Sequence, residues 1–236
     1  MSRSKIFTQP LIGGNVFHVY NQTNNKELLF LTDDDRFRFL RNLKRFVCPF
    51  ADVLAYNLLS NHFHILLESI TKGELLSRMT PHYVNELPLV CKKLVDCEDD
   101  NMDLVLKNRF TAMLAGYATY FNMRYKRKGN FLHRPFCRKW IHSSSYLAKA
   151  AYYIHFNAVR HGLCEHLLDH QWTSFHSVLA EDRSIISIDK LFQYFGGKDH
   201  FLHYHQTNRF INQEEEKAFL IEEEVVFKHK QYESNE

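Results

Sequence analysis

Cysteine is sparse and scattered. The five residues Cys48, Cys91, Cys97, Cys137 and Cys164 form no Cys-x-x-Cys, and their odd number and wide spacing argue against a disulfide framework or a thiolate zinc knuckle. Long apolar runs are missing too: no stretch approaches the roughly 20 apolar residues of a membrane-spanning helix. No apolar leader follows Met1-Ser2-Arg3-Ser4-Lys5-Ile6-Phe7-Thr8, so a soluble, cytoplasmic protein with no membrane partner is expected. No internal repeat or low-complexity segment stands out. Against these absences, 45% apolar and 14% aromatic residues in a chain of 236 supply ample core and exclude disorder throughout.

The net charge of +3 conceals a strong asymmetry. Between Met102 and Cys164 eleven Lys and Arg face one acid, Asp103, whereas Asp96, Glu98, Asp99 and Asp100 form one acidic island and Glu214, Glu215, Glu216, Glu222, Glu223 and Glu224 concentrate acid near the C-terminus. A basic central surface suits a polyanionic partner, although a solvated helix face carries such charge as well.

The stretch Asn61-His62-Phe63-His64-Ile65-Leu66-Leu67-Glu68 reads as a β-strand, which puts His62 and His64 on one face and Phe63, Ile65 and Leu67 on the other. Two imidazoles fixed on a pleated surface supply half or more of the protein ligands of an open metal site. A half-exposed polar strand face would show the same pattern, so the rest of the chain must decide.

Upstream, residues 14–20 alternate as a first strand that Asn21-Gln22-Thr23-Asn24-Asn25 breaks. Thr32 followed by Asp33, Asp34 and Asp35 predicts a helix N-terminus, with Phe37, Leu40, Leu43 and Val47 at near-helical spacing until Pro49. Asp52 to Leu59 forms a strand that turns at Ser60-Asn61 into the two-histidine strand, which is therefore expected inside a sheet. Residues 70–101, interrupted by Pro81, Pro88 and the acidic island, read as an insertion, partly helical over 86–95. The stripe Phe110, Met113, Leu114, Tyr117 and Phe121 predicts a helix that closes in the basic run Arg124 to Lys128. Residues 130–141 read as another strand, and Ser143-Ser144-Ser145 as the cap of the next helix.

On that helix Leu147, Ala151, Ile154 and Ala158 define the buried stripe, with Tyr153 and Asn157, four residues apart, together on its flank. Tyr152 projects away from the stripe with Phe156. Short packed segments are expected around 172–176 and 191–195, and a final charged helix at roughly 209–230.

Three segments in order now carry a resemblance: Asn61-His62-Phe63-His64-Ile65-Leu66-Leu67-Glu68, then Gly129-Asn130-Phe131-Leu132-His133-Arg134-Pro135-Phe136-Cys137-Arg138, then Tyr153-Ile154-His155-Phe156-Asn157-Ala158-Val159-Arg160-His161-Gly162-Leu163. Together they resemble the single-tyrosine transposases of the HUH nuclease superfamily, in the branch of the REP-associated tyrosine transposases. Trp172 to Phe175 resembles that family's Trp-Ser-Ser-Tyr segment, so the similarity spans about residues 14–176. It implies an α+β fold, a ferredoxin-like or RRM-like antiparallel sheet with packed helices, over residues 1–180, followed by a helical C-terminal extension at 181–236.

The resemblance also implies Tyr153 as nucleophile, with Tyr152 as its competitor, and a divalent metal, Mg2+ or Mn2+, on His62, His64 and Asn157. The activity implied is a metal-dependent single-stranded DNA endonuclease and strand transferase working through a 5′-phosphotyrosine, on single-stranded or hairpin DNA, with a homodimer as its candidate assembly. The alternative is a catalytically silent, domesticated transposase that serves as a DNA-binding module. A two-metal hydrolase is disfavoured, because no Asp-His pair follows His64 closely. Candidate DNA contacts are Lys126, Arg127, Arg134, Arg138, Lys139 and Arg160, with Phe131, Phe136 and Trp140 as stacking candidates. Two departures from the family pattern stand out. Ala158 replaces the proline of Asn-Pro-Val-Arg, which predicts a helix running past its usual stop and a differently aimed Asn157 amide, and Asn21-Gln22-Thr23 replaces Asn-Arg-Gly.

Overall fold

The structure, a computed structural model, describes residues 9–78, Lys92 and 102–207. Strand β1 (Val16–Gln22) leads through a one-turn 3-10 helix (Asn24–Lys26) to helix α1 (Asp33–Phe46), and strands β2 (Ala51–Leu58) and β3 (His62–Ser69) follow as a hairpin. Helices α2 (Lys72–Arg78) and α3 (Met102–Arg124), strand β4 (Cys137–Ile141) and helix α4 (Ser144–Arg160) come next. A second 3-10 turn (Leu167–Asp169) and helices α5 (Ser174–Leu179), α6 (Ile188–Phe195) and α7 (Lys198–Thr207) complete the described chain.

The four strands form one sheet in the order β2-β3-β1-β4, antiparallel throughout. With the connection β1-α1-β2-β3-α3-β4 this is the ferredoxin-like arrangement that the resemblance implied. The two-histidine strand β3 is internal, paired with β1 on one side and β2 on the other.

Helix α1 starts where the sequence placed it. Asp35 Oδ2 accepts from the backbone N–H groups of Leu31 and Thr32, both at 2.9 Å, in a capping box, and three acids lie in the first turn, where the helix dipole favours them. Its core residues are Phe39 and Leu43; Phe37, expected in the buried stripe, is 53% exposed and meets the Trp172 ring edge-on at 5.1 Å. Helices α1 and α3 cover one face of the sheet, with Phe39 against Phe63 (4.8 Å) and Tyr117 (5.3 Å). The α3 stripe Phe110, Met113, Leu114, Tyr117 and Phe121 is buried as expected.

Helix α4 lies on the other face. Asn57 of β2 ties them together: its Nδ2 donates to Ile154 O of α4 at 2.7 Å, and its Oδ1 contacts His170 Nε2 at 2.9 Å. Helices α5 to α7 then pack outside α4 and beside β2, and Ile188, Leu191 and Phe201 belong to the same buried core as the sheet. The strand expected over 130–141 is only Cys137–Ile141. Residues before it form a loop that drops aromatic rings onto α3, Phe131 on Phe121 (4.1 Å) and Phe136 on Phe110 (5.1 Å), and the missing N–H of Pro135 suits this break in pairing. The helices expected over 86–95 and 209–230 fall outside the described residues.

Candidate active site

Strand geometry determines which side chains meet. In an antiparallel pair, residues directly opposite share a face, and the register sets Tyr20 and Asn57 beside His64, Gln22 beside His62, and Lys139 beside His18. The face toward α4 therefore carries His18, Tyr20, His62, His64 and Lys139, while Phe63, Ile65 and Leu67 enter the core on the far side.

On this face the imidazoles are chained. His18 Nε2 lies 2.9 Å from His64 Nδ1, and His62 Nδ1 lies 2.7 Å from Asn61 Oδ1. The His62 and His64 rings are edge to face at 5.1 Å. Burial holds all three in the neutral form. It pushes His18 down to about 3, with the Lys139 charge adding to it, and His62 to about 3, helped by His161 and Arg160 and opposed by the Asn157 amide. His64 is held well below its ordinary value by burial first and then by His62 and His18. Neutral imidazole is the form that ligates a metal.

Helix α4 brings the other components. Ser143 caps it by accepting from Tyr146 N–H at 3.2 Å. The buried stripe Leu147, Ala151, Ile154 and Ala158 seats it on the sheet, so the flank bearing Tyr153 and Asn157 faces the histidines. The Tyr153 ring stands edge-on to His64 at 5.9 Å and to His18 at 6.2 Å. It is only 1% exposed, deeper than a flank position suggests, because the Arg160 guanidinium also lies over its ring at 4.7 Å. Asn157 is fully buried, acts on His62, and has no well-formed hydrogen bond to either side-chain polar atom among the described residues. The helix does continue to Arg160 where the family pattern would place a proline, yet Asn157 still reaches the His62 side of the site.

A buried amide left without such bonds needs an explanation, and two neutral imidazoles beside an amide oxygen are a fitting donor set for a divalent cation. No group of three His, Cys, Asp or Glu side chains among the described residues is arranged to hold a metal, so Asn157 would have to supply the third protein donor.

Tyr152 belongs to a different environment. Instead of projecting outward it is buried under α7, stacked on Phe156 at 4.5 Å and close to Tyr204 and His205, because residues 198–207 cover the surface it was expected to face. Burial, then Tyr204, pushes its hydroxyl up to about 12, and that hydroxyl has no hydrogen-bond partner among the described residues. His155 shares this side, bridging Ser174 Oγ and His205 Nε2 at 2.9 Å each.

The basic candidates divide between locations. Lys139 and Arg160 join the site; Lys139 Nζ donates to Tyr146 Oη at 2.6 Å. Lys126 and Arg134 are exposed, at the end of α3 and in the loop that follows. Arg127 is committed to Glu27 (2.5 and 2.7 Å) and to Asn130 O (3.0 Å). Arg138 is 5% exposed and donates to Gln9 O at 2.5 Å. Of the stacking candidates, Phe131 and Phe136 are core and Trp140 is exposed. His18 and His161, whose ring stands 5.2 Å from His62, were not singled out from the sequence. The alternation of β1 could have suggested His18, which shares a face with Tyr20 as His62 does with His64.

No protein-family model and no curated protein matches the chain. Among solved structures it is similar to a REP-associated tyrosine transposase bound to a REP hairpin, with a TM-score of 0.50 and 16% identity over 77% of this chain and 87% of that one. At that identity the likeness is one of fold.

Proposed function

We propose that the chain is a DNA strand transferase of the tyrosine transposase type, in which Tyr153 attacks a phosphodiester of single-stranded DNA beside a divalent cation held by His62, His64 and Asn157. The observation that carries this reading is the convergence of Tyr153 with His64, and of the buried Asn157 amide with His62, from two separate elements of the fold. The fold shared with a hairpin-bound transposase supports DNA, including hairpin DNA, as the partner.

When bound, Mg2+ or Mn2+ would neutralise charge developing on the scissile phosphate. Tyr153 Oη forms the new bond to phosphorus while the bond to the 3′ oxygen breaks, leaving a 5′-phosphotyrosine and a 3′ hydroxyl that receives the phenolic proton through solvent. One phosphodiester replaces another, so rejoining is the reverse reaction and no nucleotide cofactor is consumed. Arg160 now covers the nucleophile. A phosphate reaching Tyr153 must draw the guanidinium off the ring, and a charge-assisted pair with that phosphate is the natural destination.

Incubation with hairpin-flanked single strands and Mn2+ should yield a covalent adduct that mass spectrometry places on Tyr153 and that Tyr153→Phe abolishes. The covered position of Tyr153 favours a second reading, a DNA-binding module without catalysis. Tight hairpin binding with no adduct on any tyrosine would establish that second reading in place of the first.

A further inference from the structure

Each of the two imidazoles facing α4 from β3 has its Nδ1 occupied. His62 Nδ1 meets Asn61 Oδ1, an oxygen that can only accept, so His62 carries its proton on Nδ1 and keeps the lone pair on Nε2. His64 Nδ1 meets another imidazole nitrogen, His18 Nε2, at 2.9 Å. Two neutral rings in contact through these atoms share one proton, and whichever ring donates it sets the tautomer of both. If His18 donates, the His64 proton resides on Nε2 and blocks coordination there. If His64 donates, its Nε2 lone pair is presented.

We propose that His18 is a positioning residue that accepts the hydrogen bond from His64 Nδ1–H and thereby holds His64 in the tautomer whose Nε2 can bind a divalent cation. The inference rests on the metal reading of the site given above. It assigns His18 the task that carboxylates or backbone carbonyls usually perform behind a metal-bound histidine, fixing ring orientation and tautomer. The surroundings suit that role: both rings are buried, adjacent strands hold them in place, and the Tyr153 ring stands against both. Lys139 is the ionised group near His18, paired with it across β1 and β4 and held by the Tyr146 hydroxyl.

The test uses the full chain with 15N-labelled histidine. Long-range proton–nitrogen spectra are recorded without metal and with saturating Zn2+ as a diamagnetic probe, and His18→Gln assists assignment. In both states His64 should be protonated on Nδ1, with His18 Nε2 shifted as an acceptor. His64 carrying its proton on Nε2 in both states would overturn the proposal, and the Lys139 charge is the force that would favour that arrangement.

A second measurement is Mn2+ affinity. His18→Leu should bind on the order of 10–100-fold more weakly, whereas His18→Gln, whose amide oxygen can take the place of Nε2, should recover most of the loss. Equal weakening in both folded variants, or in neither, counts against the assignment. Where His18→Leu does not fold, the wild-type spectra decide. Failure of the strand-transfer reading appears separately, as a missing Tyr153 adduct with the tautomers as proposed.

Discussion

Tyr152 and Tyr153 are neighbours in sequence with opposite expected responses to loss of an oxygen. Tyr153→Phe should lose the adduct while keeping metal and DNA binding, since the ring still packs against His18 and His64. Tyr152→Phe should form the adduct normally and gain about 1 kcal/mol in urea unfolding, because it removes a buried hydroxyl that has no partner among the described residues. The arginines divide in the same way. Arg134→Ala should flatten the salt dependence of single-strand binding by about 0.7 if it contacts one phosphate. Arg138→Ala should instead lower the melting temperature, since it empties a buried site and leaves Gln9 O without that donor. The spacing of Tyr153 and Asn157 is local, so it could be read before any fold was known. The His18–His64 contact depends on register between strands 46 residues apart, which no local pattern encodes.

Helix α4 shows how an element tolerates a change at its end. Ile154 O accepts from Ala158 N–H in the ordinary helical pattern and also from Asn57 Nδ2. The two donors back each other up. Asn57→Ala and Ala158→Pro should therefore be more damaging together than the sum of their separate effects, by about 1–3 kcal/mol in a double-mutant cycle, because only the pair strips a buried carbonyl of both donors. Helix α7 adds a pH dependence. His205, buried against His155, Tyr152 and Phe201, has its pKa pushed by burial down to about 4 from 6.5. The unfolded chain therefore binds this proton first as pH falls. The contribution is complete above about 6.5 and is lost on the way down to 4, amounting to roughly 2 kcal/mol between pH 7.5 and 5. The slope of stability against pH over this range should be shallower in His205→Gln. Helix starts and buried stripes were legible because caps and periodicity are local. The end of β4 nearest Pro135 was not, since Phe131 and Phe136 find partners on α3 that only tertiary packing supplies.

At the scale of the whole molecule helices α6 and α7 are structural members of the core. Asp52 binds Arg78 and Lys190, Lys190 also binds Glu68, and Tyr194 donates to Glu68, so α2 and α6 clamp the β2 side of the sheet. Leu191 of α6 and Phe201 of α7 are fully buried. A chain ending at residue 182 should be expressed as an aggregating or partly unfolded product, checked by circular dichroism and gel filtration, and should not behave as a separable nuclease domain. The central place of β3 has a dynamic consequence as well. Paired on both sides, covered on one face by α1 and α3 and on the other by α4, it cannot open by fraying. Its amide protons should exchange with deuterium only through global unfolding, with protection at His64 and Ile65 tracking the denaturant-derived stability of the whole chain. Any breathing that admits a ligand must then occur around Arg160 and His161, at the end of α4, where amides should exchange orders of magnitude sooner.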